Sequence, residues 1–303
     1  MPDTNPPAML APFHAGERKM HDRLGVLERM DALGRRAIRD HMPDQHRELF
    51  GKLPFMVAGS LDAAGQPWAS VLAGGPGFVT TPEAQRLRLT VLPTPGDPLG
   101  TNLRTGAPLG LLGIELETRR RNRVNGTVTS VDDAGFEVHV VQSFGNCPKY
   151  ISLRRHRMAT SKPYLMPEPS RLSAAARVLI AEADTLFIAS AAPGEGVDVS
   201  HRGGPAGFVR LADSAAGPEL IIQDYTGNNF FNTIGNILLA PRVGLLFLDF
   251  AAGHVLQLQG TARLDEALDG TGRLIRIVLG GGHWLRDAVP IRWESVVTAP
   301  TPG

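Results

Sequence analysis

A chain of 303 residues is long for one domain and suits two of about 150, each able to bury a core. With 43% hydrophobic residues, 20% charged residues and a net charge of +1, it has no global basic field, so nucleic acid is not an expected partner. No apolar run approaches the roughly 18 residues of a membrane span, the opening "MPDTNPPAMLAPFHAGERKM" lacks a signal-peptide pattern, and the single Cys147 allows no intrachain disulfide; no membrane contact and a cytoplasmic location are the expectations.

From Glu17 to about His41, Leu24, Leu27, Met30, Leu33, Ala37 and Ile38 recur every three or four positions, as the stripe of one amphipathic helix should. A shorter helix is expected over Asp44 to Lys52. Short β-rich runs broken by Gly, Pro, Asn and Asp follow at 55–61, 67–73, 87–92, 109–116, 120–131 and 135–142. "SKPYLMPEPSRLSAAARVLIAEADTLFIAS" then reads as a proline-rich linker and a helix from about Ala174 to Ala183, with Ser173 as N-cap. A second set of runs lies at 185–191, 197–202, 219–223, 243–250, 254–264 and 273–279. The expected class is mainly β (α+β), with two tandem six-stranded barrels or sandwiches and peripheral helices. The expected divisions are a helical extension over 1–50, a first β domain over 51–165 and a second over 166–303.

The two sets of runs form an internal repeat. A shift of 130 aligns 55–79 with 185–209 without a gap, matching Ser60 to Ser190, Ser70 to Ser200, Gly74 to Gly204 and Phe78-Val79 to Phe208-Val209. A shift of 134 aligns 102–127 with 236–261, matching Asn102 to Asn236, Gly110 to Gly244 and Gly126 to Gly260. Two blocks in the same order at nearly the same offset point to duplication.

"GVDVSHRGGPAGFVRL", "DYTGNNFFNTIGNILLAPRVGLLFLDF" and "HVLQLQGTARL" resemble the FMN-binding split barrel of the pyridoxamine 5'-phosphate oxidase superfamily, and "SFGNCPKYI" at 143–151 is similar to a branch of it. The resemblance covers most of 165–303 directly and 50–160 through the repeat. It implies two tandem six-stranded split barrels, a flavin in the cleft between them, and a flavin phosphate near the helix start at 228–233.

The residues themselves support part of this. "TGNNFFNTIGNILLAP" reads as a turn and a helix from about Phe230 to Leu239, capped by Asn228 or Asn229, whose free N–H groups and macrodipole suit a phosphate, with Asn232 and Thr233 in the first turn. A capped helix holding nothing fits the pattern equally well. In "VDVSHRGG" strand alternation puts Ser200 and Arg202 on one face and His201 on the other, and Gly203 and Gly204 let a ligand approach the backbone. A surface arginine before a turn is the plainer alternative. In "TRRRNRVNG" alternation places Arg119, Arg121 and Arg123 together, facing water or an anion. Lys149 is within reach of an anion, and Cys147 reads as a small buried residue rather than a reactive thiol.

Where the first copy has Val71-Leu72 the second has His201-Arg202; where the second has Gly253, Val255 and Gln257 the first has Arg119, Arg121 and Arg123. Polar groups are thus divided between copies, as if a pair of sites had become one composite site. Its cofactor-binding candidates are Ser200, His201, Arg202, Gly203, Asn228, Asn229, Asn232, Thr233, Arg121, Arg123 and Lys149; no catalytic residue is singled out. No HExxH, cysteine ligand pair or G-x-S-x-G element is present, so neither a metal site nor a hydrolase is expected.

Phe231-Asn232-Thr233 stands where the family's vitamin B6 oxidase has Ser-Arg-Lys, and the "VPIRWESVVTAPTPG" end lacks its Arg/His-rich motif, so that activity is not expected. The leading function is an FMN-dependent oxidoreductase acting on a small-molecule substrate or redox partner, with FAD or deazaflavin as other cofactors and a homodimer as an open option. A non-catalytic flavin- or haem-binding module, or a structural barrel pair with an empty cleft, are the alternatives.

Overall fold

The computed structural model describes residues 11–266 and 272–296. Three helices come first: α1 (Ala15–Arg23), α2 (Leu27–Ala37) and α3 (Asp44–Lys52). The first β unit holds β1 (Phe55–Leu61), β2 (Pro67–Ala73), β3 (Val79–Glu83), β4 (Arg86–Leu89), the single turn α4 (Leu99–Asn102), β5 (Pro108–Glu115), β6 (Arg120–Asp132) and β7 (Gly135–Gly145). Then come β8 (Arg154–Met158), β9 (Tyr164–Glu168) and α5 (Ala174–Glu182). The second unit holds β10 (Thr185–Ala192), β11 (Gly196–Gly203), β12 (Val209–Ser214), β13 (Gly217–Asp224), α6 (Asn232–Leu239), β14 (Arg242–Asp249), β15 (His254–Glu266), β16 (Arg273–Arg286) and finally β17 (Ile291–Ser295).

The fold is mainly β, and the repeat is visible in its topology. The first sheet runs β2-β1-β5-β6-β7-β4-β3 and the second β11-β10-β14-β15-β16-β13-β12, the same order strand for strand. Each therefore has seven strands along its path rather than six, because β3 and β12 were not anticipated, and among the described residues neither sheet closes on itself. β3 and β12 are short, with mostly exposed or half-exposed residues, and so leave little apolar periodicity to read. β9 adds to β16, and β8 pairs with β17 in a small third sheet. Thus the proline-rich stretch expected as a linker is partly strand, and the expected boundary at 165/166 falls inside β9.

Each unit has its own core. Phe50, Met56, Leu72, Phe78, Leu111 and Phe136 belong to the first, and Leu186, Ile188, Phe208, Leu245, Phe247 and Ile277 to the second. A third cluster, including Phe55, Val57, Val71, Leu112, Phe187, Val199, Leu246 and Trp293, joins the units. The joint is reciprocal. A Cβ on Gly110 of β5 would lie 2.5 Å from the Val197 carbonyl oxygen of β11, and one on the matched Gly244 of β14 would lie 2.4 Å from the Pro67 carbonyl oxygen of β2. Glycine at both positions lets the units approach backbone to backbone. The matched pairs Asn102–Ser60 (2.9 Å) and Asn236–Ser190 (3.1 Å) repeat one buried side-chain hydrogen bond in both halves.

The expected helix over 17–41 is two helices. Gly25 takes a positive φ of 63°, breaking the chain between α1 and α2, and Leu24 and Leu33 of the expected stripe are exposed while Met30 is buried. Phe13, Met30, Phe144 and Phe230 form a fourth cluster that holds this helical extension against both β units.

Candidate functional site

One cleft between the units, with about 110 Å³ of enclosed space, is lined by all eleven residues singled out from the sequence, together with Leu112, Asn146, Cys147, Tyr150, Phe208, Asp224, Tyr225 and Phe231. β6 of the first unit supplies Arg121 and Arg123, which two-residue alternation places on one face. Burial overturns the solvated-face reading for Arg123, which is only 3% exposed, while Arg121 is half-buried and turns to His201 and the Cys147 carbonyl. Arg119 does not join them: it precedes the strand with φ 60° and donates to the Ile151 carbonyl.

β11 of the second unit supplies Ser200, His201, Arg202 and Gly203. Arg123 donates to Ser200 Oγ (2.6 Å) and pairs with Asp198 (2.9 Å), a residue of the same strand face that the sequence reading passed over. Alternation from Ser200 was the available signal for Asp198. His201 looks the other way, as expected, and there meets Arg121, whose Nη1 lies 2.9 Å from His201 Nδ1. Arginine has no acceptor, so Nδ1 accepts and the ring hydrogen sits on Nε2. Burial first, then the charges of Arg121, Arg202 and Arg154, hold the His201 pKa well below its usual value, and the ring is neutral. Arg202 lies 3.7 Å from Asp224 at the end of β13. A Cβ on Gly203 would lie 1.9 Å from the Tyr150 carbonyl oxygen, so glycine here admits the 146–150 loop rather than open space.

Helix α6 begins two residues later than expected, at Asn232. Its N-cap is Phe231 in the left-handed region with φ 57°, with no side-chain cap, while Asn228 Oδ1 accepts from the Phe230 N–H instead. No side chain caps the first-turn N–H groups of Asn232, Thr233 and Ile234, and all three residues line the cleft. Tyr150 (φ 65°), Asn229 (φ 61°) and Phe231 are non-glycine residues held in the left-handed region, and all three line the cleft. Such strain clusters where surrounding structure imposes it for a purpose. At the mouth Tyr150 and Tyr225, one from each unit, stack with centroids 5.0 Å apart.

The cleft's electrostatics are one-sided. Arg121, Arg123, Arg202 and Lys149 line it against Asp224, with Asp198 behind Arg123. Among the described residues no carboxylate pairs with Arg121; burial, then repulsion from Arg123 and Arg202, draws its pKa down to about 10, and it stays cationic at neutral pH. Arg121 Nε, Arg123 Nε, Arg202 Nε, His201 Nε2, Thr233 Oγ1 and Asn146 Oδ1 are buried here without a hydrogen-bond partner among the described residues. Five of the six can donate, and an unmet buried donor costs about 1–3 kcal/mol. The cleft thus presents an excess of donors and positive charge, the chemistry that an acceptor-rich, anionic group complements.

A larger groove of about 1,220 Å³ lies at the β1–β2 and β10–β11 hairpin ends. Its arginines are engaged, Arg18 with Asp31 (2.6 Å) and Arg242 with the Ala64 carbonyl (2.7 Å), so it lacks a comparable excess of free donors. Among the described residues no group of three or more His, Cys, Asp or Glu side chains could hold a metal ion, and no helix is long and apolar enough to cross a membrane.

No protein-family profile and no curated protein sequence matches the chain. Among solved structures it is similar to a provisionally assigned pyridoxamine 5'-phosphate oxidase from Lactobacillus delbrueckii (19% identity, 35% of this chain and 95% of that one, TM-score 0.28). It is also similar to the haem storage protein HutZ of Vibrio cholerae (14% identity, 38% and 95%, TM-score 0.27) and to a Bacillus subtilis inhibitor of motility (10% identity, 76% and 88%, TM-score 0.21). TM-scores of this size carry no argument about this chain.

Proposed function

We propose that the chain is an FMN-dependent oxidoreductase built as two tandem split barrels, with the cofactor held in the Arg121–Arg202 cleft. The observation that carries the reading is the convergence on one cleft of five buried donors that have no hydrogen-bond partner, and of Arg121, which no carboxylate neutralises, among the described residues. FMN matches this donor set, since its phosphate and ring carbonyls are acceptors. The space of about 110 Å³ is smaller than the roughly 300–1,000 Å³ of most ligand pockets, so a tricyclic ring would have to part the stacked Tyr150 and Tyr225 or lie outside them.

The uncapped N–H groups of 232–234, Thr233 Oγ1 and Arg202 would hold the phosphate, by the helix-terminus and charge-assisted bonding that anions favour. Arg121, Arg123, Ser200 and His201 Nε2 would orient and polarise the rest of the ligand. Bound flavin supplies the two-electron chemistry; the protein supplies binding, orientation and field. Neutral His201 would donate a hydrogen bond to the ligand from Nε2 without adding charge, while Arg121 and Arg123 would add positive potential in a water-poor site. FAD and deazaflavin present the same acceptor types.

Haem fits this cleft less well. His201 is the one histidine lining it among the described residues, and its free nitrogen carries the ring hydrogen rather than a lone pair. The visible spectrum of the purified protein, the mass of any released ligand and an FMN fluorescence titration test the reading. A bound-flavin spectrum or quenching of added FMN is expected. Saturating FMN without co-elution or quenching overturns it, and a Soret band would favour the haem-binding alternative.

A further inference from the structure

Helix α1 belongs to the N-terminal extension, yet it packs against α6, whose first turn lines the cleft. Its backbone touches that of α6: a Cβ on Gly16 would lie 2.1 Å from the Gly235 carbonyl oxygen, and one on Gly235 would lie 2.6 Å from the Glu17 nitrogen. Between the helices Glu17 is buried, 3% exposed, and accepts from Asn232 Nδ2 (2.5 Å) and from the His14 N–H (2.9 Å). His21 reaches the Asn229 carbonyl oxygen (2.8 Å), and Phe13 packs edge-on against Phe230 (5.4 Å). Asn229 and Asn232 both line the cleft.

We propose that Glu17 is a positioning residue of the anion cleft, holding Asn232 and with it the uncapped first turn of α6 toward the ligand. The inference rests on the reading of the cleft as an anion site given above. Glu17 does this as a neutral group. Burial first, then the charge of Asp198, raises its pKa to about 8, against the opposing pulls of the His14 N–H, the Asn232 amide and Arg123. The charged or titratable groups facing it are His14 at the start of α1, whose Nε2 lies 3.6 Å from Glu17 Oε2, Asp198 of β11 and Arg123 of β6. Burial keeps His14 uncharged at neutral pH. A neutral carboxyl one side chain behind a bound phosphate adds no repulsion; an ionised one, above about pH 8, does.

The test compares parent, Glu17→Gln and Glu17→Ala at pH 6.5 and 9. FMN affinity is read by fluorescence, and protection of 228–239 from hydrogen exchange is read with and without inorganic phosphate. The parent should lose about tenfold in FMN affinity at the higher pH, the size of one added charge interaction. Glu17→Gln should match the parent at pH 6.5 and hold its affinity within about threefold at pH 9, and Glu17→Ala should bind more weakly at both. Phosphate protection should follow the same order. A parent and Glu17→Gln with the same pH dependence in both readouts overturn the role of Glu17 while leaving the flavin reading intact. FMN failing to bind while phosphate protects in the expected order retires the flavin and keeps Glu17. Loss of both signals in every protein overturns both.

Discussion

The duplicated fold places two equivalent junctions between the units, and among the described residues the Arg121–Arg202 cleft lies at one of them. In the first, Arg123 from one unit meets Ser200 and Asp198 from the other; under the exchange of units the same place holds Gln257, Ser70 and Trp68. There Gln257 donates to the Ala69 carbonyl (2.7 Å), Ser70 Oγ (3.2 Å) and Asp97 (3.2 Å), and its own oxygen lies 2.7 Å from His283 Nε2. Asp97 also accepts from Ser70 Oγ (2.5 Å) and the Leu99 N–H (2.8 Å), while Val71 and Leu72, the counterparts of His201 and Arg202, are buried in apolar clusters. At the second junction these polar groups meet one another. At the first, five donors have no partner among the described residues. One scaffold thus shows what a site adds to a fold: uncompensated charge and unsatisfied hydrogen bonds, kept at a cost that packing elsewhere offsets.

The sharpest way to break this comparison is to cut the equivalent buried pairs. Arg123→Ala leaves Asp198 buried without its cation and should cost about 3–5 kcal/mol in urea unfolding. Gln257→Ala removes a neutral partner and should cost about 1–3 kcal/mol. Equal costs would mean that the two networks do not differ in charge. Next come Leu72 and Arg202. Leu72→Ala should lose about 2–5 kcal/mol of stability through the cavity it leaves, with FMN affinity unchanged. Arg202→Ala should instead weaken FMN binding about ten- to a hundredfold, about 1.5–3 kcal/mol, with little change in melting temperature. A variant of Leu72 that binds FMN poorly, or of Arg202 that only melts earlier, would undo the division of labour.

The glycines at the joint should behave alike. Gly110→Ala and Gly244→Ala each press a methyl onto a carbonyl oxygen of the other unit and should each cost about 1–3 kcal/mol; a large effect at only one would show that the joint is not reciprocal.

Acidity separates the junctions more gently. Burial, opposed by Ser70, the Leu99 N–H and Gln257, raises the Asp97 pKa from its ordinary 3.8 to about 6. A carboxyl raised in the folded state holds its proton after the unfolded chain has released it, so its contribution is complete below the unfolded pKa and is lost as pH climbs to the folded one. Asp97 should therefore add a downward slope of up to about 1.4 kcal/mol per pH unit between about pH 4 and 6, and Glu17 one that continues to about pH 8. Urea midpoints across pH 4–9 check this: Glu17→Gln should reduce the slope between about pH 4.5 and 6, where Asp97 still contributes, and remove it between about pH 6 and 8. The smallest effect is expected at Thr233, whose hydroxyl has no partner: Thr233→Val should leave stability intact and weaken FMN binding by about fivefold, near 1 kcal/mol.

Much of this was legible in the amino-acid order. Periodicity and turn residues located β1 and β2 residue for residue and most other strands to within a few positions, because half-buried strands must alternate and turns must carry Gly, Asn or Asp. The repeat was legible because duplication preserves spacing, and the contrast of His201-Arg202 with Val71-Leu72 already marked the cleft that would be polar. The break of the expected 17–41 helix at Gly25 was not read from the periodicity, because it accompanies the docking of the helical extension around Phe13 and Met30. Nor was the start of α6, where Phe231 accepts a left-handed backbone that no local preference favours.

The sequence by itself determined twelve of the strand segments, that they occur as two sets, and which copy carries the arginines, since these follow from local pattern and from comparing the chain with itself; β3, β8, β9, β12 and β17 were not among them. Tertiary structure alone decided that Arg121 and Arg123 turn inward to Asp198, Ser200 and His201 of the other unit, 75 to 80 positions away, instead of facing water. It also decided that Glu17 lies against Asn232, 215 positions on. Alternation says which residues share a face, but only the packing of one unit on the other says what that face meets.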